Sequence, residues 1–132
     1  MRYLLDTNII SDLMRNRHGR VARRIQRVGE TQVCTSILVA AEMRYGALKK
    51  NSARLITEVE NLLSTMKVFS WESPADKVYS RLRTQLEQAG RPIGTNDLLI
   101  AAHALTLGCV MVTANEKEFR AVKNLDVENW LR

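Results

Sequence analysis

Residues 2–15 read Arg2-Tyr3-Leu4-Leu5-Asp6-Thr7-Asn8-Ile9-Ile10-Ser11-Asp12-Leu13-Met14-Arg15. A brief apolar run, Arg2 to Leu5, stops at Asp6, and a helix-like stretch from Thr7 to Arg15 follows. The same short-strand, longer-helix unit recurs along the chain. Gly19 to Val28 places Val21, Ile25 and Val28 on one helical face. Gln32 to Thr35 reads as a strand leading into a helix from Ser36 to Ala47, with Ser36 as its N-cap. Ser52 to Met66 carries the stripe Leu55, Ile56, Val59, Leu62, Leu63 and Met66.

Lys67 to Trp71 reads as the next strand. In Ser73-Pro74-Ala75-Asp76, Ser73 is expected to cap the following helix, with Pro74 in its first turn and Asp76 completing a box-like pattern. Gly90 ends that helix. Another runs from near Asn96 to Leu107 and stops at Gly108. Val110 to Thr113 is an apolar strand, Asn115 starts a short helix, and Asp126 to Trp130 is a last edge strand. Regular alternation of this kind predicts an α/β domain over residues 1–132, with a short, mostly parallel sheet flanked by helices on both faces. Trp71 and Trp130 are read as core.

The 132 residues are 45% hydrophobic and 26% charged, which excludes wholesale disorder. No apolar run approaches the ~18 residues of a membrane span, and the start is too soon acidic for a signal peptide, so a cytoplasmic protein is expected. Cys34 and Cys109 lie in or beside strand-like segments and read as small core hydrophobes in a reducing compartment. Twenty Lys and Arg oppose fourteen Asp and Glu, a net charge of +6 that favours a polyanion or an acidic protein as partner. Six of the arginines, Arg15, Arg17, Arg20, Arg23, Arg24 and Arg27, fall in one stretch without an acid. They form either a solvated helix face or a surface for a nucleic-acid backbone.

In an open parallel sheet, chemistry gathers at the carboxyl ends of the strands. Asp6 follows the first strand and Asn115 follows the Val110 to Thr113 strand. Asp97 lies in the first turn of a helix, behind the slim Gly94. Glu42 sits among Ala40, Ala41 and Met43. Each also has a purely structural explanation. Asp6 could cap the Thr7 helix, Asp97 could answer a helix macrodipole, Asn115 with Glu118 fits a capping box, and Glu42 could pair with an Arg. Converging carboxylates, however, repel one another unless a cation neutralises them. Oxygen ligands without Cys or His select Mg²⁺ or Mn²⁺. A hard ion in a basic protein suggests metal-dependent cleavage of a phosphodiester.

The stretches Leu4-Leu5-Asp6-Thr7-Asn8-Ile9-Ile10, Ala41-Glu42-Met43-Arg44-Tyr45-Gly46, Gly90-Arg91-Pro92-Ile93-Gly94-Thr95-Asn96-Asp97 and Val112-Thr113-Ala114-Asn115-Glu116-Lys117-Glu118-Phe119 resemble, in this order, PIN-domain nucleases. The nearest resemblance is to the VapC toxins of bacterial toxin–antitoxin pairs. It implies a PIN fold and Mg²⁺-dependent endoribonuclease activity that inhibits translation. Asp6 and Asp97 would be metal-binding aspartates, and Glu42 a further ligand or the group that orients the attacking water. The family often has Asp where this chain has Asn115, and Glu118 is the acid placed to substitute. Thr7, Asn8 and Thr113 would be supporting hydrogen-bond partners. The resemblance further implies a VapB-like antitoxin covering the acids, homodimerisation, and structured RNA such as tRNA as substrate. Two other readings of the residues stand beside it: a metal-independent ribonuclease using His18 or His103 with Arg, and a basic RNA-binding module without chemistry. His103, among alanines, is expected to be packed rather than catalytic.

Overall fold

A computed structural model describes residues 1–132. The strands are β1 (Tyr3–Leu5), β2 (Val33–Ser36), β3 (Lys67–Phe69), β4 (Val110–Val112) and β5 (Val127–Glu128). The helices are α1 (Thr7–Arg15), α2 (Arg20–Val28), α3 (Ile37–Lys49), α4 (Ala53–Leu63), α5 (Ala75–Gln88), α6 (Thr95–Leu107) and α7 (Glu116–Phe119). All strand pairs are parallel, in the order β3-β2-β1-β4-β5. The chain therefore winds outward from β1 through β2 to β3, then crosses back to β4 on the other side. Right-handed crossovers put the helices of these two halves on opposite faces. The reversal opens a crevice at the carboxyl ends of β1 and β4.

Leu4, Leu5, Met111 and Val112 are fully buried at the centre, between Ile9 and Ile10 of α1 and Ile100 and Ala101 of α6. Their burial fixes register, because a slip of one residue would turn the apolar set of a half-buried strand outward. Across the sheet, the Thr35 hydroxyl donates to the Leu5 carbonyl at 2.8 Å, fastening β2 to the end of β1. Cys34 and Cys109 are buried and unbridged, their sulfurs 3.8 Å apart. Trp130 is 1% exposed and packs against Tyr3 with ring centroids 5.3 Å apart and planes tilted by 48°, as a core residue should. Trp71 is half-buried, and its indole N–H donates to the Leu99 carbonyl at 3.0 Å. No helix is long and apolar enough to cross a membrane.

Three local expectations differ. A 3₁₀ turn, Glu30–Gln32, precedes β2 and was not legible from periodicity. The residue before α5 is Pro74, not Ser73, and no side chain caps that helix. Both Ser73 and Pro74 are exposed, so water can satisfy the free N–H groups there. The edge strand β5 spans only Val127–Glu128 and pairs with β4 alone.

Candidate active site

The site grows out of the end of β1. Asp6 closes the strand, its backbone N–H donating to the Val112 carbonyl at 2.9 Å, so its carboxylate lies beside the end of β4. Oδ1 accepts from the Thr7 N–H at 2.9 Å, and Oδ2 accepts from the Thr113 hydroxyl at 2.8 Å. Asp6 therefore does cap α1, yet it is also held at the crevice and is only 7% exposed. The Thr113 hydroxyl in turn accepts from the Asn115 backbone N–H at 3.0 Å.

Asn115 does not behave as a capping box. It precedes α7 but makes no side-chain cap bond. Its Nδ2 donates instead to Asp97 Oδ2 at 3.0 Å and to Glu118 Oε2 at 3.2 Å. Bonds to ionised acceptors are stronger than bonds between neutral groups, so two carboxylates draw the amide away from the helix. Asp6, Thr113, Asn115, Asp97 and Glu118 thus form one continuous hydrogen-bonded group.

The electrostatics follow from the crowding. Burial pushes the Asp6 carboxyl above the usual range, against the opposing bonds from Thr113 and Thr7. Burial, then the neighbouring Glu118 carboxyl and the charge of Asp6, push Asp97 up to about 7, while the Asn115 bond opposes them. These groups lack a counter-charge of their own. The oxygens of Asp6, Asp97, Glu118 and Asn115 are hard donors, and the Asn115 amide hydrogens stand between Asp97 and Glu118 where a cation would relieve both.

Glu42 is placed differently. It lines a neighbouring cavity together with Thr7, and Asp6, Asp97 and Glu118 do not line that cavity. Its Oε1 is buried without a partner, as is Thr7 Oγ1. The expected pairing of Glu42 with an arginine does not occur, because Arg44 turns outward to form two bonds with Glu60, at 2.8 and 3.0 Å. No three His, Cys, Asp or Glu side chains are gathered tightly enough to enclose an ion as they stand. Asp6, Asp97 and Glu118 come together, and Glu42 adjoins them across Thr7.

His103 is 1% exposed, with Nδ1 2.7 Å from the Ser36 hydroxyl, and is packed as expected. The arginine stretch is divided. Arg15 and Arg17 reach the Glu42 cavity. Arg20 donates to the Leu131 carbonyl at 3.4 Å, Arg23 to the Gly19 carbonyl at 3.4 Å, and Arg24 pairs with Glu128 at 3.2 Å, while Arg27 is exposed. Lys50 and Arg54 also line the cavity and were missed. Their only signal was a basic pair, Lys49-Lys50, close to Arg54 at the end of a helix.

The chain matches the PIN domain family over residues 3–125. It is 37% identical over 134 residues to ribonuclease VapC1 of Haemophilus influenzae (strain R2866), covering 100% of both chains. It is 31% identical over 131 residues to a VapC of Shigella flexneri named a tRNA(fMet)-specific endonuclease, covering 98% of both. Its fold is similar, at a TM-score of 0.91 and 34% identity, to a chain in the crystal structure of VapBC2 from Rickettsia felis bound to a promoter DNA fragment. That likeness covers 98% of this chain and 99% of the other. An acid group at the β1 and β4 ends of a parallel sheet, with a match running through all of these elements, leads to one assignment: the chain belongs to the PIN-domain family, in its VapC ribonuclease branch.

Proposed function

We propose that this chain is a Mg²⁺-dependent endoribonuclease, able to use Mn²⁺, which cleaves structured RNA and so inhibits translation in the cytoplasm. The observation that carries this reading is the bonded acid group of Asp6, Asp97 and Glu118 in a chain of net charge +6. A bound divalent ion supplies Lewis acidity at a phosphoryl oxygen and acidifies a coordinated water. Asp6 and Asp97 would hold it, Glu118 stands beside Asp97, and Thr113 and Asn115 fix the orientation of the carboxylates. Glu42, with its unpartnered oxygen, orients the attacking water. His103 is buried behind Ser36 and is not available to substrate as an acid or base.

The name of the Shigella flexneri relative supports tRNA as the substrate class. The neighbouring VapBC complex supports a VapB-like antitoxin as partner, and the basic surface suits an acidic one. Self-association into a dimer is carried over from the resemblance, and light scattering of the purified chain tests it. The function is tested by digesting total tRNA with Mg²⁺, with Mn²⁺ and with EDTA. Cleavage should require the ion and vanish in Asp6→Asn. Cutting that survives EDTA refutes metal dependence, and RNA retained but uncut in Mg²⁺ refutes the enzyme.

A further inference from the structure

Asp97 and Glu42 stand on different helices, α6 and α3, and a buried side-chain bond joins the two. His103 of α6 has Nδ1 2.7 Å from the hydroxyl of Ser36, the residue that caps α3. Leu98, Ile100, Ala101, Ala102 and Ala104 make up the rest of the buried face of α6, so His103 is its one polar member. Its Nε2 is buried without a partner. An orphaned buried nitrogen costs stability that an apolar side chain would not. Packing alone therefore does not account for an imidazole at this place, and the bond at Nδ1 is what distinguishes it. Burial holds the pKa of the ring below the ordinary histidine range, so it is neutral and has one N–H. Ser36 Oγ already accepts from the Leu38 N–H at 3.0 Å, which leaves its own proton for Nδ1.

The preceding residue makes a matching bond on the other side. Thr35 Oγ1 donates to the Leu5 carbonyl at 2.8 Å, one residue before Asp6. The start of α3 is thus fastened to β1 through Thr35 and to α6 through Ser36. Glu42 lies six residues after Ser36 and Asp97 six before His103, each about 9 Å along its helix from the bond. Over that length a tilt of about 6° moves Glu42 by about 1 Å. A displacement of that size can cost about 100-fold in rate. Since α3 leaves Ile37, Tyr45 and Leu48 exposed while α6 is embedded in the core, α3 is the helix that loss of the bond sets free. We infer that His103 is a positioning residue for cleavage: through Ser36 it seats α3, and so places Glu42 against Asp6 and Asp97. This rests on the ribonuclease reading above, in which Glu42 orients the attacking water.

His103→Leu and Ser36→Ala each remove the bond, and His103→Asn offers an amide near the position of Nδ1. On a tRNA that the wild type cuts, both bond-breaking variants should lose about 10- to 100-fold in kcat, with KM and Mn²⁺ affinity close to wild type. The double variant His103→Leu, Ser36→Ala should be no slower than the slower single variant, because both act through one bond, whereas independent damage would multiply. His103→Asn should recover most of the lost kcat. The seat of α3 is read without cleavage from the methionine methyl signals of labelled protein. Met43, next to Glu42, touches the Ser11 hydroxyl of α1 at 3.8 Å, and Met111 is buried in β4. In Ser36→Ala the Met43 signal should move and the Met111 signal stay. Should His103→Leu fail to fold, Ser36→Ala against His103→Asn makes the same comparison. A raised KM at unchanged kcat, losses that multiply in the double variant, or no recovery in folded His103→Asn overturns the inference. So does a Met43 signal that stays in place or moves only together with Met111. A wild type that leaves every tRNA intact refutes the ribonuclease reading and the catalytic part of this one, while the Met43 signal still decides whether the bond seats α3.

Discussion

Replacing Asp97 by Asn removes one charge from the acid group and keeps its shape. Asp97 holds its proton up to about 7 in the folded chain, because of burial first and the neighbouring Glu118 and Asp6 acids next. Unfolded, it would titrate in the ordinary range near 3.8. Between those values the folded state binds more protons, so stability falls as pH rises through the window and is lowest above about 7. The ceiling of this effect is about 4 kcal/mol. Asp97 is only half-buried, and solvent screening reduces the expected figure to about 1–2 kcal/mol. Urea unfolding in EDTA at pH 4.5 and pH 8.5 measures it. Asp97→Asn should be more stable than wild type by about that amount at pH 8.5 and nearly equal to it at pH 4.5. A variant less stable than wild type at both pH values would show that Asp97 is a structural acid, and the crowding argument would fall.

Thr113→Val deletes the hydroxyl that donates to Asp6 and accepts from Asn115. It should cost about 1–3 kcal/mol in urea unfolding, because a buried carboxylate oxygen loses its donor. Trp130→Ala empties the site between Tyr3 and Arg24 and should cost about 3–5 kcal/mol in the same assay, without altering any acid. Breaking the exposed Arg44–Glu60 pair with Arg44→Ala should change stability by less than about 1 kcal/mol, despite its two bonds. In thermal unfolding, Mn²⁺ should raise the Tm of wild type and not that of Asp6→Asn.

Much of the fold was legible because the chain alternates two strong local signals. Short apolar runs such as Tyr3–Leu5 and Val110–Val112 have no room to be helices, and the stripes of α2 and α4 face one way. Where local chemistry decides the outcome alone, the reading also held: Ser36 caps α3, with its hydroxyl 3.0 Å from the Leu38 N–H. What was not legible depends on residues distant in the chain. Asn115 reads as a cap beside Glu118, and only the arrival of α6 brings Asp97 within 3.0 Å to redirect its amide. Glu42 reads as one of a set of acids, but its seat depends on the packing of α3 on α1, seen in the Ser11 hydroxyl contact to the Met43 sulfur at 3.8 Å, which sets it in a cavity wall with Thr7, the neighbour of Asp6. The arginine run reads as one face, yet the C-terminal segment returns to bind Arg20 and Arg24 and breaks it in two.

The account stands or falls on whether the acids at the ends of β1 and β4 receive a divalent ion. Calorimetric titration of Mn²⁺ into the purified chain, and into Asp6→Asn and Asp97→Asn, answers that without reference to RNA. Saturable binding to the wild type, abolished or greatly weakened in both variants, is the predicted result. Absence of binding to the wild type, or undiminished binding to either variant, would contradict it.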